Sequence, residues 1–269
     1  MQKRAFFIRF LFPLLLGAAA GALFGCEGAK ESLPPAELPS GMVWIIGDGE
    51  GITSFAMDAT EVSTAAFADF IAATDYVTEA DDFGWSGVFN KDSLGWLPVE
   101  GATWRFPLGP DSAAATPNLP VTQLSLRDVE AYASWAGKRL PTEAEWMWAA
   151  SQQGEHEAFP WGKEMVPEGK YPGNWWQGPF PYEDGVLDGF PGIAPVKSFP
   201  PAANGLYDIS GNVWEWTNTK NASGEQYIIK GGSFLCSTSY CTGFDLHQRQ
   251  FTPADSGLNH LGFRLVRAL

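Results

Sequence analysis

Between Phe159 and Asn212 the chain offers little from which to build a helix or a strand, being mostly Gly, Pro, Asn and Asp set between aromatic residues. Neither the 3.6-residue nor the two-residue apolar period runs through it. Irregular backbone of that length is ordered only if something holds it, and bound metal is one candidate. The rest of the composition agrees: 12 Trp and 30 Gly point to a loop-rich fold fixed by aromatic packing rather than by long regular elements.

Three helices are readable around this core of loop. Ser63 can cap one over roughly Thr64 to Ala73, with Phe67, Phe70 and Ile71 inward. Ser125 caps a second, in which Leu126, Val129, Ala133 and Ala136 share a face and Gly137 ends it. Pro141 and Thr142 open a third, where Thr142 and Glu145 have capping-box spacing and Trp146, Ala149 and Ala150 face inward. Strand signals are short: Tyr227 to Lys230, Phe234-Leu235, and Gly262 to Val266.

The first residues carry an address. Lys3, Arg4 and Arg9 precede an uncharged Leu-, Phe- and Ala-rich run from Phe10 to Phe24, too short for a comfortable membrane span, which reads as a signal peptide over residues 1–25. It ends in Leu23-Phe24-Gly25-Cys26, which looks like a bacterial lipobox with Cys26 as the lipidated residue. Residues 26–41, rich in Pro, Glu and Ala, read as a tether, and 42–269 as one domain with neither a second linker nor an internal repeat. The expected location is the bacterial cell envelope, with a lipid anchor as the only membrane contact. Removing three positive charges takes the formal charge from −14 to −17, a value that argues against nucleic acid as a partner. Of the 3 cysteines, Cys236 and Cys241 remain for the domain, as either a local disulfide or a thiolate site.

The run from Gly137 to Trp146, GKRLPTEAEW, resembles the signature of the formylglycine-generating, or sulfatase-modifying factor, superfamily. Phe159-Pro160-Trp161-Gly162, Asn174 to Gly178, Ala194-Pro195-Val196, Asn204 to Trp216, Gly231-Gly232-Ser233 and Leu261 to Arg264 follow in the family's order. The likeness runs from about Phe55 onward. It implies a mostly irregular α+β fold related to C-type lectins, with few short helices and strands.

The stretch Gly231 to Cys241 is similar to the copper site of the formylglycine-generating enzymes, cysteine spacing included. Two thiolates suit a soft, low-coordinate ion such as copper(I) and leave room for a substrate thiolate as a third ligand. The resemblance implies oxygen-dependent oxidation of a sulfatase cysteine, within a Cys-x-Pro-x-Arg segment, to formylglycine. It makes Cys236 and Cys241 the copper ligands, sets Ser233 and Tyr240 in the oxygen and substrate pocket, and puts Arg249 near the reacting centre. The sulfatase polypeptide is the implied partner, and the chain is expected to act as a monomer.

Two structural calcium sites follow from the same resemblance. One draws on the side chains of Asn174 and Asp188 with the carbonyls of Trp175 and Phe190. The other draws on Asp208 and Glu215 with the carbonyls of Gly211 and Val213, Asp208 standing where Asn is common. Carboxylates mixed with backbone oxygens suit a hard cation that fixes loops.

Several positions depart from the family pattern. The opening strand and its loop are compressed between Val43 and Phe55, a shortening that would expose an edge or reshape part of the substrate groove if the first strand were lost. Ala133, Ala150, Leu246 and Leu265 occupy positions that hold two disulfides in vertebrate-type members, as expected if those bridges have become apolar core. His260 stands where an active-site Asn is common. Two other readings remain: a non-haem iron enzyme, which needs paired histidines and a carboxylate where only His156, His247 and His260 exist, and a non-catalytic envelope binding or scaffold module.

Overall fold

The computed structural model describes residues 34, 35, 37–155 and 158–268; Cys26, the signal segment and most of the tether lie outside them. Strand β1 (Met42–Ile45) pairs antiparallel with β2 (Phe55–Asp58) along its whole length. The first strand is therefore present and only 4 residues long, within the compressed opening. The short connection suffices because the Asp48 carboxylate accepts the amides of Glu50, Gly51 and Ile52, folding the loop on itself. Those amides also hold the Asp48 carboxyl below the usual carboxylate range.

The helices begin where their caps indicate. Ser63, Ser125 and Thr142 each accept an amide of the first turn, opening α1 (Thr64–Thr74), then a helix over Leu126–Trp135, then one over Glu143–Ala150. Asp128 and Glu145 complete capping boxes in the latter two. Between α1 and these come a five-residue helix α2 (Glu79–Phe83) and a hairpin, β3 (Trp85–Asn90) with β4 (Gly95–Glu100). The Leu126–Trp135 helix is thus α3 and Glu143–Ala150 is α4. Phe67 and Phe70 of α1 meet Tyr132 of α3 at ring separations of 5.7 and 5.6 Å.

From Phe159 to Asn212 the described backbone is irregular except for one 3₁₀ turn, Pro167–Gly169. Beyond it β5 (Trp214–Lys220), β6 (Tyr227–Lys230), β7 (Gln250–Thr252) and β8 (Leu261–Gly262) form a sheet in the order β7-β6-β5-β8, with β5 and β8 parallel. Phe234 and Leu235 form a turn instead of a strand. The expected strand from Gly262 to Val266 is split: Phe263 to Leu265 is irregular, because Arg264 turns inward to a buried carboxylate, and β9 (Val266–Arg267) then joins β2. The four positions that hold family disulfides are buried as core: Ala133 and Leu265 share one apolar cluster, Ala150 and Leu246 the other. Among the described residues no helix is long and apolar enough to cross a membrane.

Candidate active site

A cleft of about 50 Å³ is lined by Ser233, Leu235, Cys236, Tyr240, Cys241, Gln250 and His260 together with Phe89, Trp96, Phe180 and Trp214. The loop that carries the sulfurs leaves β6 through Gly231 and Gly232, both at positive φ. A Cβ on Gly232 would lie 2.4 Å from the Phe244 amide nitrogen, so the loop closes only with glycine there. Its turn is then fixed internally: the Cys236 amide donates to the Ser233 carbonyl at 2.8 Å and the Cys241 amide to the Ser237 carbonyl at 3.0 Å. The Trp176 amide donates to the Cys236 carbonyl at 2.9 Å, tying the long irregular stretch to the sulfur loop.

Cys236 and Cys241 are joined as a disulfide, with Cα atoms 4.6 Å apart. Cys236 is buried at the floor; Cys241 is partly exposed, and the Gln250 side-chain amide reaches its sulfur at 3.5 Å. Phe89 and Trp96 face each other across the β3–β4 hairpin and form one wall. Phe180 packs on Phe89 at 5.4 Å and stacks on Tyr240 at 4.4 Å and 14°, continuing the aromatic lining to the rim, where Tyr240 is 63% exposed. At the floor, His260 Nδ1 lies 3.2 Å from Ser233 Oγ, and its ring packs on Trp96 at 4.4 Å. Burial pulls the His260 pKa down to about 3, so the ring is neutral at any ordinary pH.

Of the residues singled out in the sequence, Ser233, Cys236, Tyr240 and Cys241 meet in this cleft. Arg249 is not among its lining residues; half exposed, it pairs with Glu143 of α4, Nε to Oε1 at 3.1 Å. Phe89, Trp96 and Phe180 were not foreseen. The available signal was a short polar break, Lys91 to Leu94, between two aromatic-bearing runs, the pattern of a hairpin.

Of the first proposed calcium set, Asp188 and the Trp175 carbonyl meet at one knot. Asp188 Oδ2 and the Trp175 carbonyl both accept from the Gln177 side-chain amide, while Asp188 Oδ1 accepts the Phe190 amide at 2.9 Å. Asn174 donates to the Gly192 carbonyl at 2.7 Å. Two acceptor oxygens converging on one N–H group form the kind of site a cation can take over.

The second set is more strongly charged. Glu215 accepts from Arg264 through both oxygens at 2.8 to 2.9 Å and from Trp146 Nε1 at 2.7 Å, so its carboxylate is fully engaged. Asp208, at φ 51, accepts the Lys197 amide through Oδ2, while its Oδ1 has no hydrogen-bond partner. Glu61, buried beside them and missed in the sequence, accepts from Asn212 through Oε1 and leaves Oε2 without a partner. Three buried carboxyl groups thus face one guanidinium, more acidic groups than that single cation can offset. Burial raises the Asp208 pKa to about 6, and burial with the Asp208 charge lifts Glu61 well above the usual range. Among the described residues no three His, Cys, Asp or Glu side chains meet at one metal-binding point, so a cation here would draw on backbone carbonyls as well. Gly211 supplies the close approach: a Cβ there would lie 2.3 Å from the Asn174 carbonyl oxygen.

Fold and site together define a loop-rich α+β domain with a paired-sulfur cleft walled by aromatic rings. The chain belongs to the sulfatase-modifying factor family: residues 48–269 match its "Sulfatase-modifying factor enzyme 1-like domain". It is 43% identical over 244 residues to the formylglycine-generating enzyme of Mus musculus, covering 79% of this chain and 66% of that one, just under two thirds of its length. It is 39% identical over 285 residues to the formylglycine-generating enzyme of Thermomonospora curvata, covering 86% and 94%. It is also 39% identical over 247 residues to the inactive Cα-formylglycine-generating enzyme 2 of Bos taurus, covering 81% and 78%. PvdO from Pseudomonas aeruginosa shares the fold, with a TM-score of 0.60 at 20% identity over 86% of this chain and 93% of that one.

Proposed function

We propose that this protein oxidises a cysteine of a sulfatase polypeptide, within a Cys-x-Pro-x-Arg segment, to formylglycine, using copper and dioxygen. The observation that carries the reading is the pair Cys236 and Cys241 in a cleft that also holds Ser233 and Tyr240. Reduction of their bond gives two thiolates already close enough to share one soft ion. Copper(I) held between them would supply the one-electron chemistry with dioxygen that removes hydrogen from the substrate's β-carbon. The chain's own residues do the rest. Phe89, Trp96, Phe180 and Tyr240 exclude water and grip an extended peptide, and Ser233 gives the buried end of the cleft a polar contact. Calcium at the two loop sites, with Glu61 added to the second, would hold the long irregular stretch and so the Trp176 contact behind Cys236. The protein acts as a monomer, exported and lipid-anchored at Cys26 to the cell envelope.

The test uses the reduced full chain loaded with copper(I), a Cys-x-Pro-x-Arg peptide, oxygen and a reductant. Mass spectrometry should record loss of the thiol and gain of an aldehyde, and Cys236→Ser or Cys241→Ser should abolish turnover. A protein that binds copper(I) yet leaves such peptides unoxidised refutes the substrate assignment. One observation favours a second reading, a non-catalytic binding module: the two sulfurs are bonded to each other. Resistance of that bond to reduction, with no copper uptake, would establish it.

A further inference from the structure

Ser233 and His260 form a hydrogen-bonded pair at the floor of the cleft, and the direction of that bond decides what the cleft offers a ligand. Ser233 Oγ already accepts the Leu235 amide at 3.3 Å. One proton and one further lone pair remain on it. His260 Nδ1, 3.2 Å away, can either take the Ser233 proton or donate its own. Donation from the ring would leave the serine proton directed at a cleft walled largely by aromatic rings and sulfur, and a buried donor without a good acceptor is expensive. Acceptance by Nδ1 satisfies that proton inside the protein.

We infer that His260 is a positioning residue: its Nδ1 accepts the Ser233 hydroxyl proton, so that Ser233 presents only an acceptor lone pair to the cleft and selects a ligand that donates, such as a substrate cysteine that has not yet lost its thiol proton. The ring is no proton relay, because a group with a pKa of about 3 is a very weak base at neutral pH. Position is held from the main chain, where the His260 carbonyl accepts the Trp214 amide at 2.8 Å just before β8 pairs with β5. The bond direction rests on the cost of leaving the serine proton unpaired; only the thiol as ligand rests on the proposed function.

The test starts with ¹⁵N NMR of the reduced, copper-free full chain. The His260 signals should be those of a protonated Nε2 and a bare Nδ1. Binding of a Cys-x-Pro-x-Arg peptide and its Ala-x-Pro-x-Arg control is then compared in four variants. Ser233→Ala and His260→Leu should each weaken the cysteine peptide about fivefold, the worth of one neutral hydrogen bond, and leave the alanine peptide unchanged. The double variant should lose no more than either single change. His260→Asn, whose amide oxygen can accept the same proton, should restore the wild-type preference. A protonated Nδ1, or a His260→Leu protein that keeps the preference, overturns the inference. If the wild type binds neither peptide, the substrate reading fails, and the imidazole tautomer still decides the direction of the bond.

Discussion

Replacing Arg264 by Met tests the charge arrangement at the centre of the fold. The guanidinium is fully buried and gives Glu215 three contacts at 2.8 to 2.9 Å. It also reaches the carbonyls of Asp58, Ala59 and Tyr207 at 3.4, 3.3 and 2.9 Å. Methionine fills similar space with no donor, leaving three buried carboxyl groups without their guanidinium. Removing one partner of a buried ion pair costs about 3–5 kcal/mol. Three carbonyls losing a donor, at about 1 kcal/mol each, push the expected loss to about 6–8 kcal/mol. That is a large share of the roughly 5–15 kcal/mol that holds a typical domain together. Urea denaturation, with the slope checked for constancy, measures it. Adding Glu215→Gln should recover about 1–2 kcal/mol, because it removes the stranded charge while keeping an acceptor for Trp146. A loss below about 1 kcal/mol for Arg264→Met, or simple additivity in the double variant, refutes the reasoning.

Three other outcomes are expected. Chelation should lower the melting temperature, since a ligand at a hundred times its dissociation constant adds about 2.7 kcal/mol, and Asp208→Ala should shrink the gap; superimposable melts with and without calcium would rule the sites out. Burial pulls the Lys230 pKa down to about 8 from 10.5. A folded pKa below the unfolded one means that this lysine's contribution is present above pH 10.5 and lost as pH falls to 8, a swing of about 3 kcal/mol. Lys230→Met should remove that slope between pH 8 and 10, as urea midpoints at the two pH values would reveal; an unchanged slope contradicts it. Cys26→Ser should release the protein from membranes and abolish the lipid mass shift; a variant that stays bound at the native mass excludes the anchor.

Three helices were legible because capping is local: Ser63, Ser125 and Thr142 act on amides three residues away, whereas the five-residue α2, capped by Thr78, is too short to show an apolar period and was missed. The cleft's sulfurs, Ser233 and Tyr240 were legible by family resemblance, being gathered in one short stretch of sequence. What escaped was long-range. Phe89 and Trp96 reach the cleft only because their hairpin lies against Phe180 and His260, contacts no local pattern encodes. Glu61 comes beside Asp208 across the fold, held by the Asn212 side chain, and nothing near Glu61 in the chain marks it. The Phe234-Leu235 strand failed because a residue run with strand character sits where the backbone must turn between Gly232 and Cys236.

The order in which the ribosome delivers these pieces has a consequence for oxidation. Cys236 and Cys241 are five residues apart, so a nascent chain can bring their sulfurs together as soon as both have emerged. His260, Arg264, β8 and β9 all lie C-terminal to the pair and leave the ribosome after it. Bond formation between the sulfurs therefore needs no folded cleft, whereas the floor and the closing strands wait for residues that emerge later. In an oxidising compartment a pair this local can close before the pocket is built around it. A site assembled in that order starts oxidised, and a reductant has to open it before two thiolates can share one ion.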